Sequence, residues 1–136
     1  MQNETLSWQA IAVAAFFKNA EYGIGLYMKL DPSVFLARTK YDCVDLRTGA
    51  LRTRQSGIFF PAEGPKVQRL ETPHCFGKIG VGNLFVLPQT PTVVWIKIET
   101  LRQDPYDYTV WANAISLISG QPHALAKSEL VLMASA

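Results

Sequence analysis

The chain has 136 residues, 49% of them hydrophobic and 18% charged, a balance that excludes the disordered class and suits a single domain. Its formal net charge of +2 is too small to direct the whole molecule to nucleic acid or to an acidic membrane. Two cysteines, Cys43 and Cys75, cannot build a disulfide framework, so a reduced, cytoplasmic protein is expected.

In chain order, Leu6–Phe17 is alanine-rich, with Trp8, Ile11 and Ala15 on one helical face. It predicts a helical turn early in Leu6–Ala12 that passes into extended chain near Phe16. Gly25–Leu30 alternates with period two, sending Leu26, Met28 and Leu30 one way and Tyr27 and Lys29 the other. Tyr41–Leu46 is the next strand. Arg47-Thr48-Gly49 closes it as a type I turn ending on a left-handed glycine, and Leu51–Arg54 returns. Ile58–Phe60 and Val67–Leu70 are further strands around the loop Pro61–Pro65, and Glu71–Lys78 reads as a short link. Val93–Ile98 repeats the alternation, with Val94, Ile96 and Ile98 inward and Trp95, Lys97 and Glu99 opposite. Pro88–Pro91 and Gln103–Asp107 read as loops, because proline cannot donate to a strand ladder. Tyr108–Leu117, the turn Ile118-Ser119-Gly120, Ala124–Ala126 and Leu130–Met133 complete the series. No leader segment and no apolar run long enough for a membrane span are expected.

These elements occur twice. Ile11, Val13, Phe17 and Lys29 meet Ile79, Val81, Phe85 and Lys97 at a constant offset of 68 residues. Asp42–Gly49 meets Asn113–Gly120 at an offset of 71, so three extra residues fall between the two blocks. Repeats of approximately 11–70 and 79–133 are too small to bury a core separately and should share one. The fold predicted is mainly β: a small barrel or sandwich of two hairpin-rich repeats, single-domain over 1–136, with a short helical turn near the N-terminus.

The paired signature reads Leu26-Tyr27-Met28-Lys29 with Val44-Asp45-Leu46-Arg47-Thr48-Gly49, and Val81-Gly82-Asn83-Leu84-Phe85 opens the second copy. It resembles a compact all-β module found in uncharacterised phage and bacterial proteins. Val13-Ala14-Ala15-Phe16-Phe17 departs from that start by lacking the glycine. The resemblance implies a mobile-element origin and transfers no catalytic residues.

Enzyme signatures are scarce: phosphate-loop, serine-elbow and metalloprotease motifs are missing. His74, Cys75, Cys43 and His123 equal a zinc ligand set in number but lack its short spacing, and no cofactor or metal is expected. Asp42 and Asn113 occupy equivalent positions, either capping backbone amides or lining a pocket. Tyr27 with Lys29, and Trp95 with Lys97, share strand faces on which a flat anion could stack, or which solvent could cover. Arg47, Arg52 and Arg54 gather around one hairpin in the basic half of the chain, a phosphate-binding pattern or a solvated edge.

Arg47, Arg52, Arg54, Tyr27, Lys29, Trp95 and Lys97 are therefore the candidate ligand-binding residues. The first function expected is a non-enzymatic, homo-oligomeric protein holding an anionic, nucleotide-like small molecule, such as a phage protein sequestering a signalling nucleotide in the host cytoplasm. The alternative is a structural or protein-binding module, a virion component or an inhibitor of a bacterial protein, with Trp95, Trp111 and Tyr106 at its interface. An enzyme would need Asp42, His74 and Cys75 to converge in a cleft.

Overall fold

A computed structural model describes residues 5–19, 25–53, 58–104 and 107–135. The first repeat runs from a 3-10 turn, Trp8–Ala10, through β1 (Phe16–Asn19), β2 (Tyr27–Lys29), the helix α1 (Pro32–Phe35), β3 (Cys43–Asp45), β4 (Leu51–Arg52) and β5 (Phe59–Pro61). The second begins with β6 (Gln68–Cys75) and a 3-10 turn, Phe76–Lys78. It continues through β7 (Leu84–Leu87), β8 (Thr90–Asp104), β9 (Asp107–Ser116), β10 (Pro122–His123) and β11 (Leu130–Ser135). Strand order is β4-β3-β2-β1-β5 in one antiparallel sheet and β10-β9-β8-β7-β11-β6 in the other. The two open sheets make a sandwich, and no barrel closes among the described residues.

The duplication is carried into the register. Phe16 pairs with Met28 and Phe17 with Tyr27, as Leu84 pairs with Ile96 and Phe85 with Trp95. Lys29 faces Cys43 and Lys97 faces Ala114 across equivalent ladders. Both hairpin turns end on a glycine at positive φ, Gly49 at 73° and Gly120 at 70°, as the turn chemistry predicts. Each is closed by a bond to the residue four back: Gly49 N–H to Asp45 O at 2.8 Å, Gly120 N–H to Ser116 O at 2.9 Å. Asp45 Oδ1 and Ser116 Oγ play one role, accepting from the turn amides of Arg47 and Ile118.

Period-two alternation places Met28, Leu30, Val44 and Leu46 of the first sheet against Ile96, Ile98, Ile115 and Leu117 of the second, forming one shared core. Burying side chains of this size stabilises by about 1.5–3 kcal/mol each. The opposite faces are buried too. Trp8, Ile11, Phe17, Tyr27, Cys43 and Phe59 cluster outside the first sheet. Phe76, Ile79, Phe85, Trp95, Ala114 and Val131 form the matching cluster outside the second.

The repeats interlock through their turns. A Cβ on Gly49 would lie 2.6 Å from Gly82 N and Lys97 O, and one on Gly120 would lie 3.3 Å from Lys29 O. Each repeat thus seats its turn on the other's lysine strand. Gly82 sits at φ 92°, and its counterpart Ala14 adopts φ 67° without being glycine.

Several expectations need correction. The link 71–78 is no linker, since β6 forms an outer strand paired with β11 and Phe76–Lys78 is the second copy's helical turn. The return strand is Pro122–His123 in place of 124–126. Pro91 lies inside β8, near the strand's start, where Leu87 already pairs with Thr90. β8 runs on to Asp104 and β9 starts at Asp107, which pair, so the strands reach further than the loop 103–107 allowed, and the three extra residues of the second repeat fall in this longer hairpin. No helix among the described residues is long and apolar enough to cross a membrane.

Candidate functional site

The two lysines singled out from the sequence are held inside their own repeats. Lys29 Nζ donates to the carbonyls of Trp8 (3.0 Å) and Ile11 (2.9 Å), and lies 4.7 Å from the Trp8 ring centroid. Lys97 Nζ donates to those of Phe76 (3.0 Å) and Ile79 (2.8 Å), 4.6 Å from the Phe76 ring. The Trp8 and Phe76 carbonyls already accept the closing N–H of their turns, from Ile11 and Ile79, and the ammonium adds a second donor there while bridging to the carbonyl that ends each turn. Tyr27 and Trp95 are covered by the same turns, with 4% and 7% exposure. They are core residues of two separate clusters and do not form a stacking surface.

Arg47 sits at the turn with its guanidinium 3.8 Å from the Asp45 carboxylate. Arg52 is exposed on β4 and lines a hollow of about 180 Å³ with Tyr41 and Glu99, whose carboxylate offsets the positive charge. Arg54 lies outside the described residues. Cys43 is buried in the first outer cluster, whereas His123 meets the Trp95 ring edge-on at 4.9 Å in the second repeat. Asp42 belongs to the first sheet's hairpin and His74 and Cys75 to the outer strand of the second, so the enzyme triad is not assembled.

A cleft of about 450 Å³ lies in the second repeat, beneath the 3-10 turn and along the β8–β9 hairpin. Lys97, Arg102 and Lys127 line it together with Phe76, Thr100 and Asn113, and none of the described lining residues is acidic. Of the sequence-derived candidates only Lys97 belongs here. Its ammonium is held below the ordinary lysine range, first by burial and second by the positive charge of Lys127.

Asn113 shapes the wall. Its Oδ1 accepts from Leu125 N–H at 2.8 Å and its Nδ2 donates to Leu125 O at 2.9 Å, pinning the segment that carries Lys127. This is the backbone-capping role expected for the position. In the first repeat the same position is Asp42, fully buried. The Lys29 ammonium is also lowered by burial, but the Asp42 carboxylate acts against that shift. Arg102 and Lys127 have no local pattern to flag them, because only the folded hairpin and the 125–127 segment bring them to Lys97.

No family model, no curated protein and no solved structure matches this chain.

Proposed function

We propose that the protein is a non-enzymatic binding protein that holds an anionic, phosphate-bearing small molecule in the cleft of its second repeat. One observation carries this reading: three cationic side chains, Lys97, Arg102 and Lys127, line the cleft, and among its described lining residues there is no carboxylate. An anion would relieve the repulsion between Lys97 and Lys127 and accept charge-assisted bonds from their ammonium groups. Phe76 supplies an apolar wall for the remainder of a nucleotide-like ligand. The module's resemblance to phage proteins supports sequestration of such a molecule, with the first repeat as scaffold. Titration calorimetry with inorganic phosphate, pyrophosphate and AMP tests the proposal. Saturable binding, weakened about tenfold or more by Lys127→Ala, is expected for a charge-assisted contact. Absence of binding by all three, or indifference to Lys127→Ala, overturns it.

A protein-binding role has one supporting feature, the outer strand β6. Among the described residues it pairs only with β11, and it is exposed along most of its length. The tryptophans do not serve this role, since Trp95 is buried and Trp111 packs against Phe35 at 5.4 Å and beneath Arg38. Tyr106 lies outside the described residues. A concentration-dependent oligomer, measured by sedimentation and lost when Leu70→Asp breaks the β6 edge, would favour this second reading.

A further inference from the structure

We infer that position 113 decides which repeat binds: neutral Asn113 leaves the Lys97 cleft receptive to an anion, whereas Asp42 at the equivalent position supplies Lys29 with an internal one. The protein then takes one anion per chain, in the second repeat. This rests on the anion-binding reading above and adds the residue that controls it.

The argument is a comparison made within one molecule. Lys29 and Lys97 bond to carbonyls at matching places, the first and fourth residues counted from the start of each 3-10 turn. Their strands pair in the same register, with Cys43 and Ala114 directly opposite. Asp42 and Asn113 immediately precede those partners, and both are buried. Backbone and lysine are thus held constant while the neighbouring group changes from carboxylate to amide. The difference reaches each lysine: Asp42 favours the charged form of Lys29, whereas Lys97 shares its cleft with the like-signed Lys127, which disfavours it. A buried cation that already has a counter-charge gains little from an external anion, and one pressed against a second cation gains much. Asn113 can remain neutral without leaving buried groups unmatched because the Leu125 backbone satisfies both ends of its amide.

Sulfate is the probe, since its charge is constant across the useful pH range. In the intact wild-type chain, the lysine side-chain NMR signals are followed against pH with and without sulfate. Saturating sulfate should raise the Lys97 transition and leave that of Lys29 in place. Asn113→Asp should weaken sulfate binding about tenfold or more, as expected when a buried site acquires an opposing charge. Asn113→Ala, which removes the clamp on Leu125 without adding charge, should cost less. Should Asn113→Asp fail to fold, the wild-type lysine titrations decide the matter alone. Sulfate binding to wild type together with unchanged affinity in Asn113→Asp overturns the inference and leaves the proposed function standing. Equal loss in the aspartate and alanine variants, or a sulfate response at Lys29, also overturns it. Absence of sulfate, phosphate and pyrophosphate binding in wild type overturns the proposed function itself.

Discussion

Ala14 and Gly82 occupy one place in two copies, and the backbone there is left-handed in both. For Ala14 that conformation costs about 1–2 kcal/mol, part of which glycine would return to the unfolded chain as entropy. Ala14→Gly should therefore raise stability by up to about 1 kcal/mol in denaturant unfolding. The reverse change, Gly82→Ala, would set a Cβ 2.8 Å from the Thr48 carbonyl and should destabilise by about 2 kcal/mol or more. Opposite signs at equivalent positions give a direct check on the symmetry. The lysines make a second residue-scale prediction. Lys29→Met would take the ammonium donor from the Ile11 carbonyl and the second donor from the Trp8 carbonyl, and should cost on the order of 2 kcal/mol. Lys97→Met should cost a similar amount, because the same two bonds are lost. Both measurements are equilibrium unfolding, and a loss confined to one of them would contradict the shared role.

At the scale of elements, the repeats differ mainly in what joins their second and third strands. In the first copy it is the short helix α1, begun by Asp31 with Pro32 at its first turn. Asp31 Oδ1 accepts from Ser33 N–H, and Oδ2 accepts from Gln121 Nε2 of the other repeat at 2.9 Å. The Ser33 and Gln121 side chains hold its carboxyl below the ordinary 3.8. A lowered acid contributes stability that is present above its unfolded value and lost as pH falls through the folded one. Asp31→Asn should therefore melt below wild type at neutral pH. The two melting curves should converge as the pH drops under 3.8, which scanning calorimetry can follow. In the second copy the join is the extended β8–β9 hairpin, which supplies Arg102 and Thr100 to the cleft. The element in which the duplication diverged most is also the one that builds the candidate site.

For the whole molecule, the shared core draws matching side chains from both sheets, and each hairpin turn rests on the opposite repeat. Neither half can bury its inward face alone. Fragments 1–66 and 67–136, produced separately, should each lack a cooperative thermal transition by circular dichroism, while the intact chain melts in one step. Two independently folding halves would contradict the shared core.

Alternation along Gly25–Leu30 and Val93–Ile98, the Thr-Gly and Ser-Gly turns and the offset of 68 residues were legible in the linear chain. All three depend on neighbours within a few residues, where strand periodicity and glycine conformation leave little freedom. The linear chain leaves the face carrying Tyr27 and Lys29 to solvent or ligand, because a lysine on a strand carries no mark of burial. What covers it is a turn eighteen to twenty-one residues upstream, and that contact exists only after folding. Likewise the cleft draws on Phe76, Lys97, Arg102, Asn113 and Lys127, which share no local motif. Their joint positive field arises because long-range strand pairing converges charges that are separated in sequence, and Coulomb interactions respond to distance through space.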